Sequence, residues 1–503
     1  MADIGPTSPL PEIALSAPED ADHVRYNPSR ELLREFSREL ETTTEFGSPA
    51  YVSEFRSRQA DRTKNAVDDE FDDRDVALVE SAFEFARDNE MICIDRQIGR
   101  HPDQTYVGRY YVPVAYGRIA LAVSNLFEPA TTSNPDFTTI QVPEYAETAI
   151  RVDPDAGLTT VLGSDYTGEA KKSFLRLFMY RVKQDGGLGL HAGSKRVTID
   201  RTDGERRDVG QLFLGLSATG KSTLTAHGLW LDGDQEARML QDDVCALLPN
   251  GTVAGSEGNG LYVKTIGLER EEQPAMYAAV THESAVLENV DVDDDGRVDF
   301  NSDEYTTNGR ASIRREHLPS ADEDIDLERV DQVFFITRNP VMPPVAKLAP
   351  EAAAAAFMLG ESIETSAGDP SRAGESVRVV GTNPFIVGSK GEEGNRFRNL
   401  VEALDVDCFV LNTGCLGASS KDIGVEDTVR LLCEIARGSV VWHEDDATGL
   451  TIPRSVPGMD IDAFAVSDHV NEYERKLREL RSDRRDYLSE FEALDDQIAD
   501  AVY

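Results

Sequence analysis

The sequence predicts an α/β protein of two domains, a mixed α+β N-terminal domain followed by a domain with a mixed β-sheet. The chain has 503 residues, of which 40% are hydrophobic and 28% charged, as expected of a globular protein with a sizeable core. Short apolar runs bounded by turn residues alternate with helical patterns. A glycine-rich segment, FLGLSATGKSTLTAHG at 213–228, joins an apolar run to a helical pattern.

The N-terminal part of the sequence contains an acidic segment, then a helical pattern and then a strand pattern. Residues 1–25 predict a disordered acidic tail. Residues 26–87 place apolar side chains at helical spacing, as in RELLREFSREL and VALVESAFEFAR, and predict two or three surface helices. The segments TYVGRYYVPVAYG, TTIQVPEYAETAIRV and GLTTVLG then predict strands. We expect an N-terminal, substrate-side domain over residues 26–185.

Residues 186–503 are expected to form the second domain. Its buried strands are predicted from VGQLFLGL, MLQDDVCALL, VDQVFFITRN and DCFVLNTG. The polar segment 366–381 is either a mobile lid or an ordinary surface loop. An apolar stripe over about 468–500 predicts a C-terminal helical segment. We expect it to pack against the domain rather than form a dimerising coiled coil, because the pattern slips between Leu480 and Tyr487.

The net charge of -41 restricts the partners of the protein. Such a negative surface repels nucleic acid and anionic membranes, so we expect neither as a partner. Only 11 of the 51 basic residues are lysine, against 92 carboxylates, which suggests a halophilic protein adapted to a salt-rich cytoplasm. A lysine retained in such a chain is expected to have a specific task.

The cysteines and the N-terminal sequence favour a cytoplasmic location. The five cysteines are scattered without CxxC spacing, which indicates neither a disulfide framework nor a zinc site. No apolar run approaches 18 residues, and the first residues lack a signal-peptide pattern. A monomer and a small homo-oligomer both remain open.

Residues 215–222 fit the phosphate-loop pattern GxxxxGK[ST], between an apolar strand and a helix. Backbone N–H groups of such a loop hold phosphate oxygens, Lys221 reaches the β and γ phosphates, and Ser222 ligates magnesium. The predicted nucleotide-binding residues here are Gly215, Leu216, Ser217, Ala218, Thr219, Gly220, Lys221, Ser222 and Thr223. The alternative is a glycine-rich turn that binds no ligand.

Two further acidic segments need separate interpretations. Asp242 and Asp243 end an apolar run about twenty residues after the loop, where a neighbouring strand presents a metal-binding acid; a surface pair is the alternative. DVDDDGRVDF at 291–300 imitates the first half of a calcium loop, but Ser302 occupies the position of the required glutamate. We predict a β-hairpin there.

A series of distinctive segments runs from about Cys93 to Asp462. It begins with GRHPDQTY and with YTGEAKKSFLRLFMYRVKQDGGLGLHAGS, which precedes the phosphate loop. It continues through GLSATGKSTLT, QDDV, EGNGLYVKTI, LENVDVDDDGRVDF, TTNGRAS, PPVAKLAPEAAAAAFMLG, FVLNTG and IPRSVPGMD. In these segments and their order the chain resembles the ATP-dependent phosphoenolpyruvate carboxykinases, and the combination is highly specific.

The resemblance implies a gluconeogenic lyase that converts oxaloacetate and ATP into phosphoenolpyruvate, carbon dioxide and ADP. The active site would lie in the interdomain cleft. Lys172, His191 and Asp243 would hold a transition metal, usually Mn²⁺, which stabilises the enolate, while Mg²⁺ accompanies the nucleotide. Lys172 can ligate a metal only as the neutral amine, and we expect the adjacent Lys171 to help lower its pKa.

The resemblance also assigns the substrate groups. Arg100 would bind a substrate carboxylate, and Arg310 would share charge with substrate and transferred phosphoryl group, although either of these could be one of 40 surface arginines. Tyr166 would orient the enolate or carbon dioxide, and Lys264 would bridge phosphate and substrate oxygens. The remaining assignments are Lys171 and Lys172 at the substrate, Asp242 and Lys221 in catalysis, and Thr428 at the nucleotide.

Three departures from the family pattern leave alternatives open. Ala218 replaces a usual glycine in the loop, and Asp422 stands where the nucleotide-base segment, SSKDIGVEDT, has an arginine. The link after His191 is longer than the family's. A carboxykinase-like kinase acting on another small-molecule or protein hydroxyl is therefore the alternative enzyme, and a non-catalytic nucleotide-binding regulator is the alternative of another class.

Overall fold

The computed structural model describes residues 10, 14–216, 219–363, 376–417, 420–446 and 448–503. The α-helices of this part of the chain are α1 (Arg30–Phe36), α2 (Asp73–Asp88), α3 (Gly117–Leu126), α4 (Thr167–Gln184), α5 (Lys221–Ala226), α6 (Pro274–Val280), α7 (Pro350–Leu359), α8 (Lys390–Ala403), α9 (Val425–Arg437), α10 (Val466–His469), α11 (Tyr473–Leu488) and α12 (Asp496–Asp500).

The strands between these helices are short, and most pair in mixed sheets. They are β1 (Val24–Tyr26), β2 (Thr42–Thr43), β3 (Pro49–Tyr51), β4 (Thr63–Asn65), β5 (Met91–His101), β6 (Gln104–Pro113), β7 (Glu128–Pro129), β8 (Phe137–Val142), β9 (Ala149–Asp153), β10 (Leu158–Leu162), β11 (Leu188–Leu190), β12 (Ala192–Asp200), β13 (Arg206–Leu214), β14 (Glu236–Gln241), β15 (Cys245–Leu247), β16 (Val253–Gly255), β17 (Gly260–Lys264), β18 (Val286–Glu288), β19 (Asp291–Val292), β20 (Val298–Asp299), β21 (Arg310–Arg314), β22 (Gln332–Thr337), β23 (Val345–Leu348), β24 (Glu361–Ile363), β25 (Ser376–Arg378), β26 (Asp407–Asn412), β27 (Cys415–Leu416), β28 (Lys421–Asp422), β29 (Val441–Glu444) and β30 (Thr451–Ser455). The predicted α/β class is confirmed.

The chain divides into two compact units, each made of two segments. The first unit comprises Met1–Arg181 and Ser256–Pro319, and the second comprises Val182–Gly255 and Ser320–Tyr503. This differs from the predicted contiguous domains 26–185 and 186–503, because residues 256–319 belong with the N-terminal segment. The physical reason is strand pairing, since β18 pairs in parallel with β3 and β21 pairs with both β18 and β17.

The first unit contains two larger sheets. One has the order β1-β5-β6-β8-β10-β9-β4, with β7 also pairing with β5, and the other has the order β17-β21-β18-β3-β2. Helix α2 buries Leu78, Val79, Ala82 and Phe83 in a core shared with the first sheet. The strands predicted from TYVGRYYVPVAYG, TTIQVPEYAETAIRV and GLTTVLG are confirmed as β6, β8 with β9, and β10.

The predicted disordered tail is not disordered throughout. Within residues 1–25, Val24 and Arg25 belong to β1, which pairs in parallel with β5. Leu15 and Val24 pack against the core formed by α2 and the first sheet. The acidic composition concealed this order, because only a few apolar side chains are needed to anchor one strand at a sheet edge.

The second unit is built on the sheet β14-β12-β13-β22-β26-β23-β30-β29. Strands β13, β22 and β26 are parallel neighbours, so their carboxyl ends meet at one edge. Alternate side chains face two cores, one shared with α7 and α8 and the other with α5 and α9. The strands predicted from VGQLFLGL, MLQDDVCALL, VDQVFFITRN and DCFVLNTG are confirmed, although MLQDDVCALL forms two strands, β14 and β15.

Three smaller predictions fall in the remaining segments. The C-terminal stripe forms α10, α11 and α12, and Leu488, Leu494 and Ile498 pack in the core of the second unit as predicted. The predicted hairpin at 291–300 is confirmed by the pairing of β19 with β20. The proposed lid lies largely outside the described residues. Within the described ranges, no helix combines the length and hydropathy needed to cross a membrane.

Candidate active site

The phosphate-loop segment follows β13 and precedes α5. It lies at the edge of the second unit's eight-stranded sheet where the parallel strands β13, β22 and β26 end. Gly220 adopts φ +100°, a conformation that strongly favours glycine, at the start of α5. Thr219 donates its hydroxyl hydrogen to the Leu216 carbonyl at 2.8 Å, and Thr413 Oγ1 donates to the Thr219 carbonyl at 2.8 Å. The predicted loop residues Ser217 and Ala218 lie outside the described residues.

The other predicted nucleotide residues lie on helices α5 and α9. Lys221 is buried, whereas Ser222 and Thr223 are exposed in the first turn of α5. Thr428 is buried in α9, where its hydroxyl donates to the Gly424 carbonyl at 3.1 Å. The loop therefore has the predicted strand and helix around it.

His191, Asp243 and Lys221 come together within the second unit. His191 Nε2 lies 2.9 Å from Asp243 Oδ1, and Lys221 Nζ lies 4.0 Å from the same oxygen. His191 Nδ1 lies 2.6 Å from the Thr382 carbonyl oxygen. Since a carbonyl oxygen only accepts, Nδ1 carries a proton; Nε2 faces the Asp243 carboxylate, to which it can donate, and it becomes a metal ligand only when it gives up that proton.

Backbone strain supports the orientation of His191. Thr382 adopts φ 52°, in the left-handed region that β-branched residues rarely enter. Its carbonyl oxygen accepts a hydrogen bond from His191 Nδ1, and the Phe385 ring lies edge-on to the imidazole with ring centroids 6.4 Å apart. Such strained conformations persist where the surrounding structure holds them, and they cluster at functional sites.

The donor set beside the loop fits a divalent cation. His191 and Asp243 offer one nitrogen and one carboxylate ligand, a combination that transition metals accept. Asp242 adds a buried Oδ1 that has no hydrogen-bond partner among the described residues. No three His, Cys, Asp or Glu side chains converge as a metal site in the described ranges, so a cation here would need ligands of other kinds.

A second set of predicted residues surrounds Tyr262 in the first unit. Lys171 is buried on α4 and pairs with the buried Glu257 carboxylate at 3.0 Å. Its ammonium lies 5.7 Å from the centroid of the Tyr262 ring, and the Tyr166 ring lies 6.3 Å from the same ring. Lys171 was expected to help lower the pKa of Lys172, which lies beside it on α4 and is partly buried. The Glu257 carboxylate offsets the positive charge of Lys171.

Lys264 and Arg310 lie directly opposite each other on β17 and β21. Their pairing in the antiparallel register puts both side chains on the same face of the sheet. Arg310 Nη2 donates to Asn308 Oδ1 at 2.8 Å, and its guanidinium lies 5.6 Å from the Tyr262 ring centroid. Asn308 Nδ2 also lies 3.4 Å from Tyr166 Oη. The structure thus gathers three predicted residues, Tyr166, Lys171 and Arg310, around Tyr262, and Lys264 lies opposite Arg310.

Arg100 is the last but one residue of β5. Its side chain is held by Glu128 and by the segment that leads into β17. Its Nε donates to Glu128 Oε2 at 3.1 Å, and its Nη2 donates to Glu128 Oε1 at 2.9 Å and to the Gly258 carbonyl at 2.8 Å. A Cβ at Gly258 would lie 2.9 Å from Glu128 Oε2 and 3.2 Å from Arg100 Nε. Glycine at this position therefore leaves the space that the Arg100–Glu128 pair occupies.

Sequence reasoning missed the residues that hold the predicted ones. Glu128, Glu257 and Tyr262 contact Arg100 and Lys171, and Thr382 orients His191. Glu257 and Tyr262 lie within EGNGLYVKTI, a segment singled out above, so their placement in a specific motif was the available signal.

Comparisons with known proteins cover this whole set of residues. A family model described as phosphoenolpyruvate carboxykinase matches residues 57–462. A phosphoenolpyruvate carboxykinase (ATP) of Aeropyrum pernix is 37% identical over 473 residues, 92% of this chain and 94% of that protein. Those of Nitrobacter winogradskyi and Mesorhizobium japonicum are 28% identical over 451 residues and 30% identical over 347 residues. They cover 84% and 65% of this chain, and 80% and 61% of their own lengths.

Proposed function

The chain belongs to the phosphoenolpyruvate carboxykinase family, and we propose that it converts oxaloacetate and ATP into phosphoenolpyruvate, carbon dioxide and ADP. The observation that carries the proposal is the group formed by His191, Asp243 and Lys221 next to a phosphate loop, in a chain that matches this family over most of its length. Phosphate-binding and cation-binding side chains are the two sets that the reaction requires.

We assign the nucleotide to the second unit. Backbone amides of residues 215–220 and the Lys221 ammonium would bind the polyphosphate, and the exposed Ser222 hydroxyl would be a ligand for the Mg²⁺ that accompanies the nucleotide. Thr428 contributes to the nucleotide site, as the family resemblance implies. The polyphosphate carries several negative charges. The Lys221 ammonium and the accompanying Mg²⁺ would therefore favour its binding in an otherwise very acidic protein.

His191 and Asp243 would hold the second divalent cation, for which we propose Mn²⁺. When bound, this cation supplies charge that stabilises the negative charge developing on the substrate oxygen during decarboxylation. The Thr382 carbonyl keeps the His191 proton on Nδ1, so that Nε2 stays available as a ligand. Asp242 would act beside them through its buried carboxylate oxygen. The assignment of Lys172 as a further ligand remains a prediction from the family resemblance.

The first unit would supply the substrate groups. Arg100, held by Glu128, would present its guanidinium to a substrate carboxylate. Lys264 and Arg310, opposite each other on one sheet face, would balance the charge of the transferred phosphoryl group. Tyr166 would orient the enolate or carbon dioxide, and Lys171, neutralised by Glu257, would position the start of α4.

The proposed habitat rests on composition, and the proposed location rests on the scattered cysteines. We propose a cytoplasmic enzyme of a salt-rich cell, because lysine is scarce and carboxylates dominate the charge. The alternative kinase acting on another hydroxyl is not favoured, since the family match extends through the predicted substrate segments. A regulator without catalysis would not need Arg100, Lys264 and Arg310 in addition to the loop.

Transfer of labelled phosphate tests the function against these alternatives. The purified chain is incubated in high salt with ATP labelled at the γ phosphate, Mg²⁺ and Mn²⁺, and with either oxaloacetate, glycerol or a casein mixture. We expect the label in phosphoenolpyruvate only when oxaloacetate is present. Label in glycerol or protein would support the kinase, and nucleotide binding without label transfer would support the regulator; either result contradicts the proposal.

A further inference from the structure

Arg338 is a cation without a carboxylate partner in the described part of a very acidic chain. No carboxylate among the described residues forms an ion pair with it, and its buried Nε has no hydrogen-bond acceptor there. Burial lowers the pKa of its guanidinium. In a protein with 92 carboxylates, a half-buried arginine that pairs with none of the described ones is available to an anionic ligand.

The position of Arg338 indicates which anion that is. It directly follows β22, and β22 pairs in parallel with β13, the strand that leads into the phosphate loop, with Leu214 opposite Phe335. The carboxyl end of β22 therefore lies at the same sheet edge as the loop. Thr337, the last residue of β22, carries a buried hydroxyl that also lacks a partner among the described residues.

Hydrogen bonds join this end of β22 to the loop itself. Thr413, which follows β26, donates its backbone N–H to the Thr337 carbonyl at 2.9 Å and its hydroxyl to the Thr219 carbonyl at 2.8 Å. A Cβ at Gly414 would lie 3.2 Å from the Cβ of Arg338, so the glycine leaves room for the arginine. One residue, Thr413, thus bridges the backbone next to Arg338 and the phosphate loop.

We propose that Arg338 is a nucleotide-binding residue whose guanidinium contacts the polyphosphate oxygens of the bound nucleoside triphosphate. The inference rests on the proposed function for the identity of the ligand, and it adds a cation that the sequence analysis did not assign. A guanidinium donates several hydrogen bonds in a fixed fork that suits phosphate oxygens. A substrate carboxylate is the less favoured anion, because Arg338 and the phosphate loop belong to the same unit.

Direct binding measurements on the full-length protein test this role. Arg338→Gln and Arg338→Lys are titrated calorimetrically with ATP and, separately, with inorganic tripolyphosphate, both with Mg²⁺. Arg338→Gln should weaken both ligands about 10- to 100-fold, the range for a lost hydrogen bond to a charged group. Arg338→Lys should recover part of the loss, because it restores the charge but not the fork.

A matched control uses the opposite end of the same strand. Arg329 precedes β22 and pairs with Asp331 at 3.1 Å on the surface, so Arg329→Gln should leave both affinities unchanged. The ligand-free unfolding temperature of Arg338→Gln should not fall, because the substitution removes a cation that no described carboxylate pairs with. A merely structural role would instead lower that temperature and leave the affinities unchanged.

The outcomes separate this proposal from the proposed function. Unchanged tripolyphosphate affinity in Arg338→Gln overturns the polyphosphate contact, and so does a loss confined to ATP, which would place the side chain against the base or the ribose. Weakened phosphoenolpyruvate binding with unchanged tripolyphosphate binding also overturns it. Because tripolyphosphate binding requires no turnover, the contact can be tested even if the protein proves unable to make phosphoenolpyruvate.

Discussion

Among single residues, Asp243 has the central position, because its carboxylate lies beside both His191 and Lys221. Asp243 Oδ1 lies 2.9 Å from the imidazole Nε2 and 4.0 Å from the Lys221 ammonium. One oxygen therefore lies next to both the proposed cation ligand and the proposed phosphate-binding lysine. Loss of its charge should affect cation binding more than it affects the fold.

We expect Asp243→Asn to lower kcat by about 100-fold or more, because a neutral amide stabilises a divalent cation poorly. The variant should also need a higher Mn²⁺ concentration for half-maximal activity. Steady-state kinetics over a range of Mn²⁺ concentrations check both effects. His443→Gln, in β29 at the far edge of the sheet, is the control, and its kinetics should equal those of the unsubstituted chain. Full activity of Asp243→Asn would remove Asp243 from the site.

Gly258 tests the proposed role of Arg100. The methyl group of Gly258→Ala would lie 2.9 Å from Glu128 Oε2 and 3.2 Å from Arg100 Nε, so the Glu128 carboxylate must shift, and the guanidinium that it holds is displaced with it. We expect the KM for oxaloacetate to rise about 10-fold or more, with little change in the affinity for ATP. Gly228→Ala, where a Cβ would meet no atom within 4 Å, is the control. A raised KM for ATP alone would contradict the assignment of Arg100 to the substrate.

The positions of Lys221 and Asp243 beside the loop could be predicted from the sequence, and the residues that hold the predicted ones could not. Lys221 and Asp243 were found because strand, loop and helix follow one another locally in the sequence. Glu128, Glu257 and Arg338 were missed because their partners are set by contacts between distant parts of the chain, such as Arg100 with Gly258. The motif EGNGLYVKTI marks the segment that contains Glu257, but nothing in the motif indicates that Glu257 pairs with Lys171.

At the scale of elements, Lys195 on β12 binds the C-terminal end of helix α5. Its side chain is fully buried, donates to the carbonyl oxygens of Leu224 and His227, and lies 5.5 Å from the Phe213 ring centroid. The carbonyl groups at the C-terminal end of α5 thereby gain a donor that the helix itself cannot provide. A buried lysine in a chain with 11 lysines agrees with the expectation that retained lysines have specific tasks.

Burial of Lys195 should make stability depend on pH. Burial lowers its pKa from 10.5 to about 7, so between these values the unfolded chain binds more protons than the folded one. Stability attributable to this residue therefore rises with pH, by up to about 1.4 kcal/mol per pH unit. Relative to Lys195→Met, the unsubstituted chain should gain unfolding free energy between pH 7.5 and 9.

Chemical denaturation at several pH values measures this difference. Lys390→Met, at the exposed start of α8, is the control and should show no such change relative to the unsubstituted chain. A constant difference between the unsubstituted chain and Lys195→Met across this range would show that Lys195 does not titrate there.

The elements themselves were largely predictable, and their grouping was not. Apolar runs located β6, β8, β10, β13, β22 and β26, because each strand buries its own residues in a core. The return of residues 256–319 to the first unit depends on pairing of β18 with β3, which are more than two hundred residues apart. Strand β1 was missed for a related reason, since its partner β5 lies far along the chain.

At the scale of the whole molecule, the net charge of -41 should make stability depend on salt. Repulsion among exposed carboxylates is screened as ionic strength rises, with a Debye length of about 10 Å at 0.1 M and about 3 Å at 1 M. We expect the unfolding temperature to rise by several degrees between 0.1 and 2 M KCl, measured by calorimetry. Choline chloride of equal ionic strength should act similarly. A salt-independent or falling unfolding temperature would contradict the proposed adaptation.

The catalytic claim for the whole molecule is tested most directly in the carboxylating direction, because oxaloacetate loses carbon dioxide spontaneously in the presence of divalent metals. The chain is supplied with phosphoenolpyruvate, bicarbonate, ADP, Mg²⁺ and Mn²⁺ in high salt, and oxaloacetate is followed through NADH oxidation by added malate dehydrogenase. We predict NADH oxidation that requires all three substrates, with one ATP formed per oxaloacetate. Absence of oxaloacetate, or its formation without ATP, would contradict the account.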